Sequence, residues 1–337
     1  VSDLPTVHVT DMVTFQTCRY RWDYSSPLRH NLQPRTPNKH LWLGTGLHHA
    51  LAAYYGRGAT AKEWGGLLTA YDAWVAAQLP AVSRRCLGVP EAIQDYAALG
   101  RAMLAHYARW APDHDDFEVL VAEHKVALPF GAYVYKGAID LVVRDVHGEL
   151  WIVEHKSYTQ LPDVTTLALT LQPAVYLYAA RQDPALTAYG PIAGVLYNIL
   201  RKSAPTAPKP LKGGGLERRA NINASPYSYA DAVTAAGLDV ADYADFIAGL
   251  DPWRFNRRVA LRVSDAQLRV AMGEFVWLAN AMVTDPALYR GDAVRQCPGC
   301  DYLPLCTQRL AGQPWELLAV MECLPRGADD APDVEEE

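Results

Sequence analysis

The chain has 337 residues, half of them hydrophobic and a fifth charged. It can bury one large core or two ordinary ones, and it is too apolar to be disordered throughout. Net charge is −6, but Asp329, Asp330, Asp333, Glu335, Glu336 and Glu337, with no Lys or Arg after Arg326, account for all of it. The body is therefore near neutral, and a phosphate-backbone partner is not excluded. No apolar run approaches the ~20 residues that span a bilayer. The opening residues lack a basic patch followed by an apolar run, so the expectation is a cytoplasmic chain with no membrane partner.

In chain order, residues 1–43 form an N-terminal segment with one cysteine. Residues 44–116 are Ala- and Leu-rich and read as helical, with Leu47, His48, Leu51 and Tyr55 on one stripe. The texture changes at Phe117. Residues 117–128, 132–146 and 149–157 are rich in Val, Ile, Leu and Tyr and read as three strands. Residues 167–181 return to helix, and 192–200 read as a buried strand, completing a core over 117–200. Residues 201–226 hold four prolines, Gly213-Gly214-Gly215 and six cations. They read as a basic Pro/Gly-rich loop whose Lys209, Lys212, Arg218 and Arg219 could meet phosphates, as a mobile arm over the active-site channel. Helices are expected over 229–236, 240–249 and 265–284 in a C-terminal part spanning 227–323, and the tail 324–337 as a solvated acidic end. No Walker-type GxxxxGK[ST] sequence is present, so no recognisable ATP motor.

The informative unit is Lys136-Gly137-Ala138-Ile139-Asp140, then Val146-His147-Gly148, then Glu154-His155-Lys156. If Val146-His147-Gly148 is a three-residue hairpin loop with Gly148 left-handed, opposed residue numbers sum to 294. Asp140 then faces Glu154, Lys156 shares their side of the sheet, and His155 points away. A two-residue turn would put the carboxylates on opposite faces. Like charges directly across a strand pair destabilise it unless a hard cation such as Mg²⁺ neutralises them. A solvated surface hairpin is the bland alternative, but the flanks are apolar. His48 of Gly44-Thr45-Gly46-Leu47-His48 is a candidate third ligand, with His49 as a rival. Gln172 and Tyr176 lie one helical turn apart on one face.

Three of the six cysteines (Cys297, Cys300, Cys306) fall within ten residues, a metal-like spacing in a chain too large to need a disulfide framework. Together these motifs resemble the RecB-like branch of the PD-(D/E)XK nuclease superfamily, and most closely the iron–sulfur exonucleases associated with CRISPR systems and their phage-encoded relatives. The resemblance covers Cys18 to Cys306. It implies an α/β restriction-endonuclease-like core, a mixed sheet flanked by helices, with a helical insertion and a cluster linking the two ends of the chain.

By that likeness His48, Asp140, Glu154 and the His155 carbonyl hold Mg²⁺ or Mn²⁺. Lys156 serves the attacking water, and Gln172 and Tyr176 position it and the DNA. Cys18, Cys297, Cys300 and Cys306 match the family's cluster ligands and imply 4Fe-4S. Four thiolates could equally hold Zn²⁺ on physical grounds. Cys86 and Cys323 are left as ordinary thiols. The implied activity is metal-dependent DNA cleavage, as an exonuclease on single-stranded ends, with recombination, replication or CRISPR-adaptation proteins as partners. Two alternatives stay open: a non-catalytic DNA-end-binding scaffold, and a zinc-stabilised RNA-processing protein, for which no RNA-binding aromatic motif is visible.

Overall fold

The computed structural model describes residues 4–56 and 64–327. The expected acidic end lies outside them from residue 328 onward. The strands are β1 (Thr6–Val7), β2 (Leu32–Pro34), β3 (Phe117–Phe130), β4 (Tyr133–Asp145), β5 (Leu150–Tyr158), β6 (Ile192–Arg201), β7 (Asn256–Leu261) and β8 (Cys323–Pro325). The helices are α1 (Val9–Thr17), α2 (Arg19–Ser25), α3 (Lys39–Tyr55), α4 (Trp64–Cys86), α5 (Glu91–Trp110), α6 (Val164–Ala168), α7 (Leu171–Gln182), α8 (Pro184–Thr187), α9 (Pro226–Ala235), α10 (Ala244–Ala248), α11 (Asp265–Thr284), α12 (Ala293–Gln296), α13 (Leu303–Leu310) and α14 (Trp315–Glu322).

Six strands make one mixed sheet, in the order β1-β4-β5-β6-β7 with β3 paired to β4. The β1–β4 and β5–β6 pairs are parallel and the others antiparallel. Successive side chains in a strand point to opposite faces, and here both faces are apolar. Val142, Ile152, Val195 and Ile199 pack against α1, α7 and α11 through Met12, Val175 and Phe275. Leu141, Val143, Trp151 and Val153 pack against α3, α4 and α5 through Leu47, Leu67 and Leu104. The result is the helix–sheet–helix layering expected from the sequence.

The β4–β5 register matches the 294 sum: Leu141 faces Val153 and Arg144 faces Leu150. The loop is Val146-His147-Gly148, with Gly148 at φ +83°. Asp145 explains its stability, since its carboxylate accepts the His147 and Glu149 N–H groups at 2.9 and 2.8 Å and Trp151 Nε1 at 3.1 Å.

Several expectations are adjusted. The helix at 44–55 begins earlier, at Lys39, because Asn38 caps it by accepting from the His40 and Leu41 N–H groups. The helix at 167–181 is two: the chain breaks after α6 and restarts at Leu171, which places Pro173 in a first turn where its missing N–H is harmless. Residues 240–249 divide into a 3₁₀ turn and α10. Strand β7 was not foreseen, because Arg257 and Arg258 interrupt its apolar alternation.

Residues 201–226 are not a free arm. Leu216, Ile222 and Ala224 are buried with Tyr229, Val233 and Tyr243 in a small separate core, and Pro210 bridges Leu216. Leu216, among the cations, and Ile222 and Ala224, after them, hold the segment down.

The two ends of the described chain meet directly. Strand β2 pairs with β8, Tyr302 donates to the Leu32 carbonyl at 2.7 Å, and Tyr24 packs with Tyr302 and Trp315.

At Gly100 of α5 a Cβ would collide with the Tyr71 hydroxyl of α4 and lie 2.7 Å from Leu43 Cδ1 of α3. Gly100→Ala is expected to destabilise the fold by ~1–3 kcal/mol through overpacking. Gly273→Ala, in α11 with open space around it, is expected to stabilise by roughly 0.5–1 kcal/mol through helix propensity. Thermal unfolding of the two variants checks both signs.

Candidate active site

The pairing of β4 with β5 ends at Leu141 opposite Val153, and the next residues in line are Asp140 and Glu154. Each lies two positions from a residue of the same core, Val142 and Ile152, so both point to that face of the sheet. Both are buried, at 6% and 3% exposure. An ionised carboxylate taken out of water costs several kcal/mol unless it is paired and hydrogen-bonded, and the neighbours of this pair do that.

Asp140 accepts the His155 backbone N–H at 2.7 Å and lies 3.1 Å from His48 Nδ1. Glu154 takes the Lys156 ammonium at 2.6 Å and the Gln172 amide at 2.9 Å on one oxygen. Its other oxygen, Oε2, is buried with no hydrogen-bond partner among the described residues. His48 and His49 are thereby distinguished: His49 is exposed on the outer side of α3.

These contacts push the two carboxyls apart. Burial acts to raise Asp140, but His48 and the His155 N–H prevail and hold it below the usual carboxylate range. Burial, then the charge of Asp140, drive Glu154 up to about 7 against the pull of Lys156. Burial would lower His48 and Lys156, but Asp140 and Glu154 respectively keep both raised. Such divergent neighbours are what acid–base chemistry uses.

Gln172 sits in the first turn of α7 and reaches Glu154. Tyr176, one turn on, is partly buried; its hydroxyl is raised by burial and then by Glu154, and Gln172 hydrogen-bonds to it. The sequence reading missed Glu123. In β3, Ala122 faces Leu141 and His124 faces Ile139, which sets Glu123 opposite Asp140, at a left-handed φ of +52°. Burial and the charge of Asp140 raise its carboxyl. Three carboxylates therefore line up across β3, β4 and β5. The two-residue turn Gly131-Ala132 between Phe130 and Tyr133 fixes that alignment and is the signal that would have found it.

Among the described residues no group of three or more His, Cys, Asp or Glu side chains is arranged to hold a metal ion. Lys156 and His48 lie against the two carboxylates, at 2.6 and 3.1 Å.

Cys18, Cys297, Cys300 and Cys306 line one cavity, together with Tyr20, Arg21 and Tyr24. Burial raises the Cys306 thiol first, and the nearby Cys18, Cys297 and Cys300 raise it further. Cys86 bonds the Arg35 carbonyl at 3.4 Å and Cys323 is buried in the neighbouring aromatic core; neither lines that cavity. Of the loop cations, Arg218 lies over the Tyr243 ring at 4.1 Å and donates to the Asp242 carbonyl. Arg219 pairs with Glu217 at 2.8 Å. Lys209 and Lys212 are exposed, and among the described residues none of the four bonds to the carboxylate site.

The family profile of the PD-(D/E)XK nuclease superfamily matches residues 7–307. The chain belongs to that superfamily. No curated protein matches it by sequence. Among solved structures it is similar to SSO0001, at 12% identity and a TM-score of 0.34 over 90% of this chain and 85% of that one. It is also similar to a candidate exonuclease from Eubacterium rectale, at 8% identity and a TM-score of 0.36 over 86% and 85%. Likeness at that level is too coarse to carry function, so membership of the nuclease superfamily rests on the sequence match. No described helix is long and apolar enough to cross a membrane.

A divalent ion taken up by this nuclease's carboxylates must displace the Glu154 proton below about pH 7, whereas Asp140, held low, is already ionised. Mn²⁺ affinity is expected to weaken as pH falls from 8 to 6, with proton release on binding. Calorimetry in buffers of different ionisation enthalpy measures both.

Proposed function

We propose that this chain is a Mg²⁺- or Mn²⁺-dependent deoxyribonuclease, an exonuclease on single-stranded DNA ends. The observation that carries the reading is the buried Asp140–Glu154 pair, opposed across β4 and β5 with Lys156 on the same face. The residues offer oxygen donors suited to a hard cation: Glu154 Oε2, which has no hydrogen-bond partner among the described residues, and the low-held Asp140 carboxylate. His48, Asp140, Glu154 and the His155 carbonyl would hold the ion. When bound, such an ion lowers the pKa of water and stabilises phosphoryl charge.

The protein groups do the rest. Gln172 fixes one Glu154 oxygen, leaving the other free to face a ligand. The Lys156 ammonium, 2.6 Å from Glu154 and on the same face, would orient the attacking water and stabilise negative charge on the phosphate. Tyr176, beside Gln172 and Glu154, supports the scissile strand. Lys209, Lys212, Arg218 and Arg219 provide secondary phosphate contacts on the surface of the small lobe.

The same reading places a 4Fe-4S cluster on Cys18, Cys297, Cys300 and Cys306, supported by their convergence on one cavity. Four thiolates could hold Zn²⁺ as well; iron is preferred because the cysteine pattern resembles that of the iron–sulfur exonucleases. The setting is a cytoplasmic one, in recombination, replication or CRISPR adaptation, with a phage-encoded origin.

With end-labelled single-stranded DNA, Lys156→Ala is expected to lower the cleavage rate by ~10²–10³ while retaining Mn²⁺ binding. Asp140→Ala is expected to lose both. A Lys156→Ala protein that digests at the wild-type rate removes the hairpin from the chemistry. Purified protein is expected to be brown, and Cys300→Ala to lose colour and solubility together; a colourless protein with stoichiometric zinc rejects iron.

A further inference from the structure

On the face of β5 opposite the carboxylates lies a second polar cluster, closed to solvent, for which the proposed chemistry has no use. It comprises His155, Asn198 of β6, Tyr55 of α3, Tyr107 of α5, Asp115, and Arg258 of β7. His155 and Asn198 are 1% and 0% exposed, and the Arg258 and Asp115 side chains 10% and 1%. Asn198 Nδ2 lies 3.0 Å from the Tyr107 hydroxyl and 2.8 Å from His155 Nδ1. The Tyr107 and Tyr55 hydroxyls are 2.5 Å apart, and Tyr55 donates to Asp115 at 3.0 Å. Arg258 Nη2 donates to Tyr107 at 3.0 Å and to Asp115 at 2.5 Å.

The chemistry of the groups orients this chain. Arg258 can only donate, and ionised Asp115 can only accept. Tyr107 therefore receives hydrogens from Arg258 and Asn198 and gives its own to Tyr55, which gives its own to Asp115. Both hydrogens of the Asn198 amide are then committed, one to Tyr107 and one to His155 Nδ1. His155 Nδ1 faces the Asn198 amide, and its Nε2 is buried with no hydrogen-bond partner among the described residues. Tyr55 stacks on the same ring, with centroids 5.7 Å apart and planes at 19°.

We propose that Asn198 is a positioning residue for the nuclease centre: through the His155 ring it fixes the peptide that links Glu154 to Lys156. That peptide is the one whose N–H binds Asp140 at 2.7 Å, and its carbonyl is a metal ligand in the reading given above, on which this inference rests. Neighbouring strand residues point to opposite faces. A ring clamped on the far side therefore sets the direction of Glu154 and Lys156 on the near side. The network also aligns His48, because Tyr55 follows it on α3 by seven residues, about two helical turns, and so lies on nearly the same side. Partners at one remove from metal ligands act in this way, and their loss typically lowers metal affinity or activity ~10–100-fold.

The test is Asn198→Leu in the full chain, which removes both hydrogen bonds and nearly keeps the volume. Mn²⁺ affinity is measured without DNA by electron paramagnetic resonance, and kcat and KM on end-labelled single-stranded DNA. Affinity and kcat are each expected to fall ~10–100-fold with KM little changed. Values within about twofold of wild type, whatever the change in melting temperature, overturn the proposal. If Asn198→Leu does not fold, Tyr55→Phe removes one hydroxyl and keeps the stacked ring, with the same direction expected and the same outcome overturning it. Met282→Ala in α11 is the stability control: equal weakening of Mn²⁺ binding there would make the effect a general one and reject the proposal. A wild-type chain that takes up no Mn²⁺ and cuts no DNA overturns the nuclease reading, and this inference with it, whereas failure confined to Asn198→Leu leaves that reading standing.

Discussion

Two buried carboxylates of like charge on neighbouring strands are the constraint around which this molecule is arranged. Asp140 and Glu154 repel each other and have left water, so the fold has to supply compensation from several directions. It comes from four groups on three elements: His48 on α3, the His155 N–H and the Lys156 ammonium on β5, and Gln172 on α7. The surrounding packing can be understood as the means of bringing these four to one point. Helix α3 is held on one face of the sheet by the Leu47 core and α7 on the other by the Val175 core. The carboxylates sit where the two layers meet.

Among the described residues β2 and β8 pair, and Tyr24, Tyr302 and Trp315 cluster beside the four-cysteine cavity. Asp23, 4% exposed, takes Arg309 at 2.8 Å. A cross-link of any kind at the cavity would join segments that already touch, adding rigidity to an existing contact instead of creating it.

The carboxylate hairpin was legible because its evidence is local. A three-residue loop ending in Gly148 determines which residues face each other, and the period of two determines which face they share. The cysteine spacing and the Gln172–Tyr176 turn were legible for the same reason. Glu123 was not, because its alignment with Asp140 depends on the β3–β4 turn as well. Strand β7 was not, because its arginines look solvated until Arg258 is seen buried against Asp115. The loop at 201–226 was misjudged because its Pro, Gly and Lys content speaks louder than the three apolar residues that anchor it.

The sequence by itself determined the strand–loop–strand register, the nuclease superfamily, and the residue types able to hold a cation. It did so because each depends on neighbours a few positions apart or on a motif with fixed spacing. Only the tertiary structure decided between His48 and His49, brought Cys18 to the C-terminal cysteines, and joined Asn198, Tyr107, Tyr55, Asp115 and Arg258 into one chain of hydrogen bonds. Those choices join elements far apart in the chain. They are set by which helix face packs on the sheet and by the order of its strands, and neither is fixed by local periodicity.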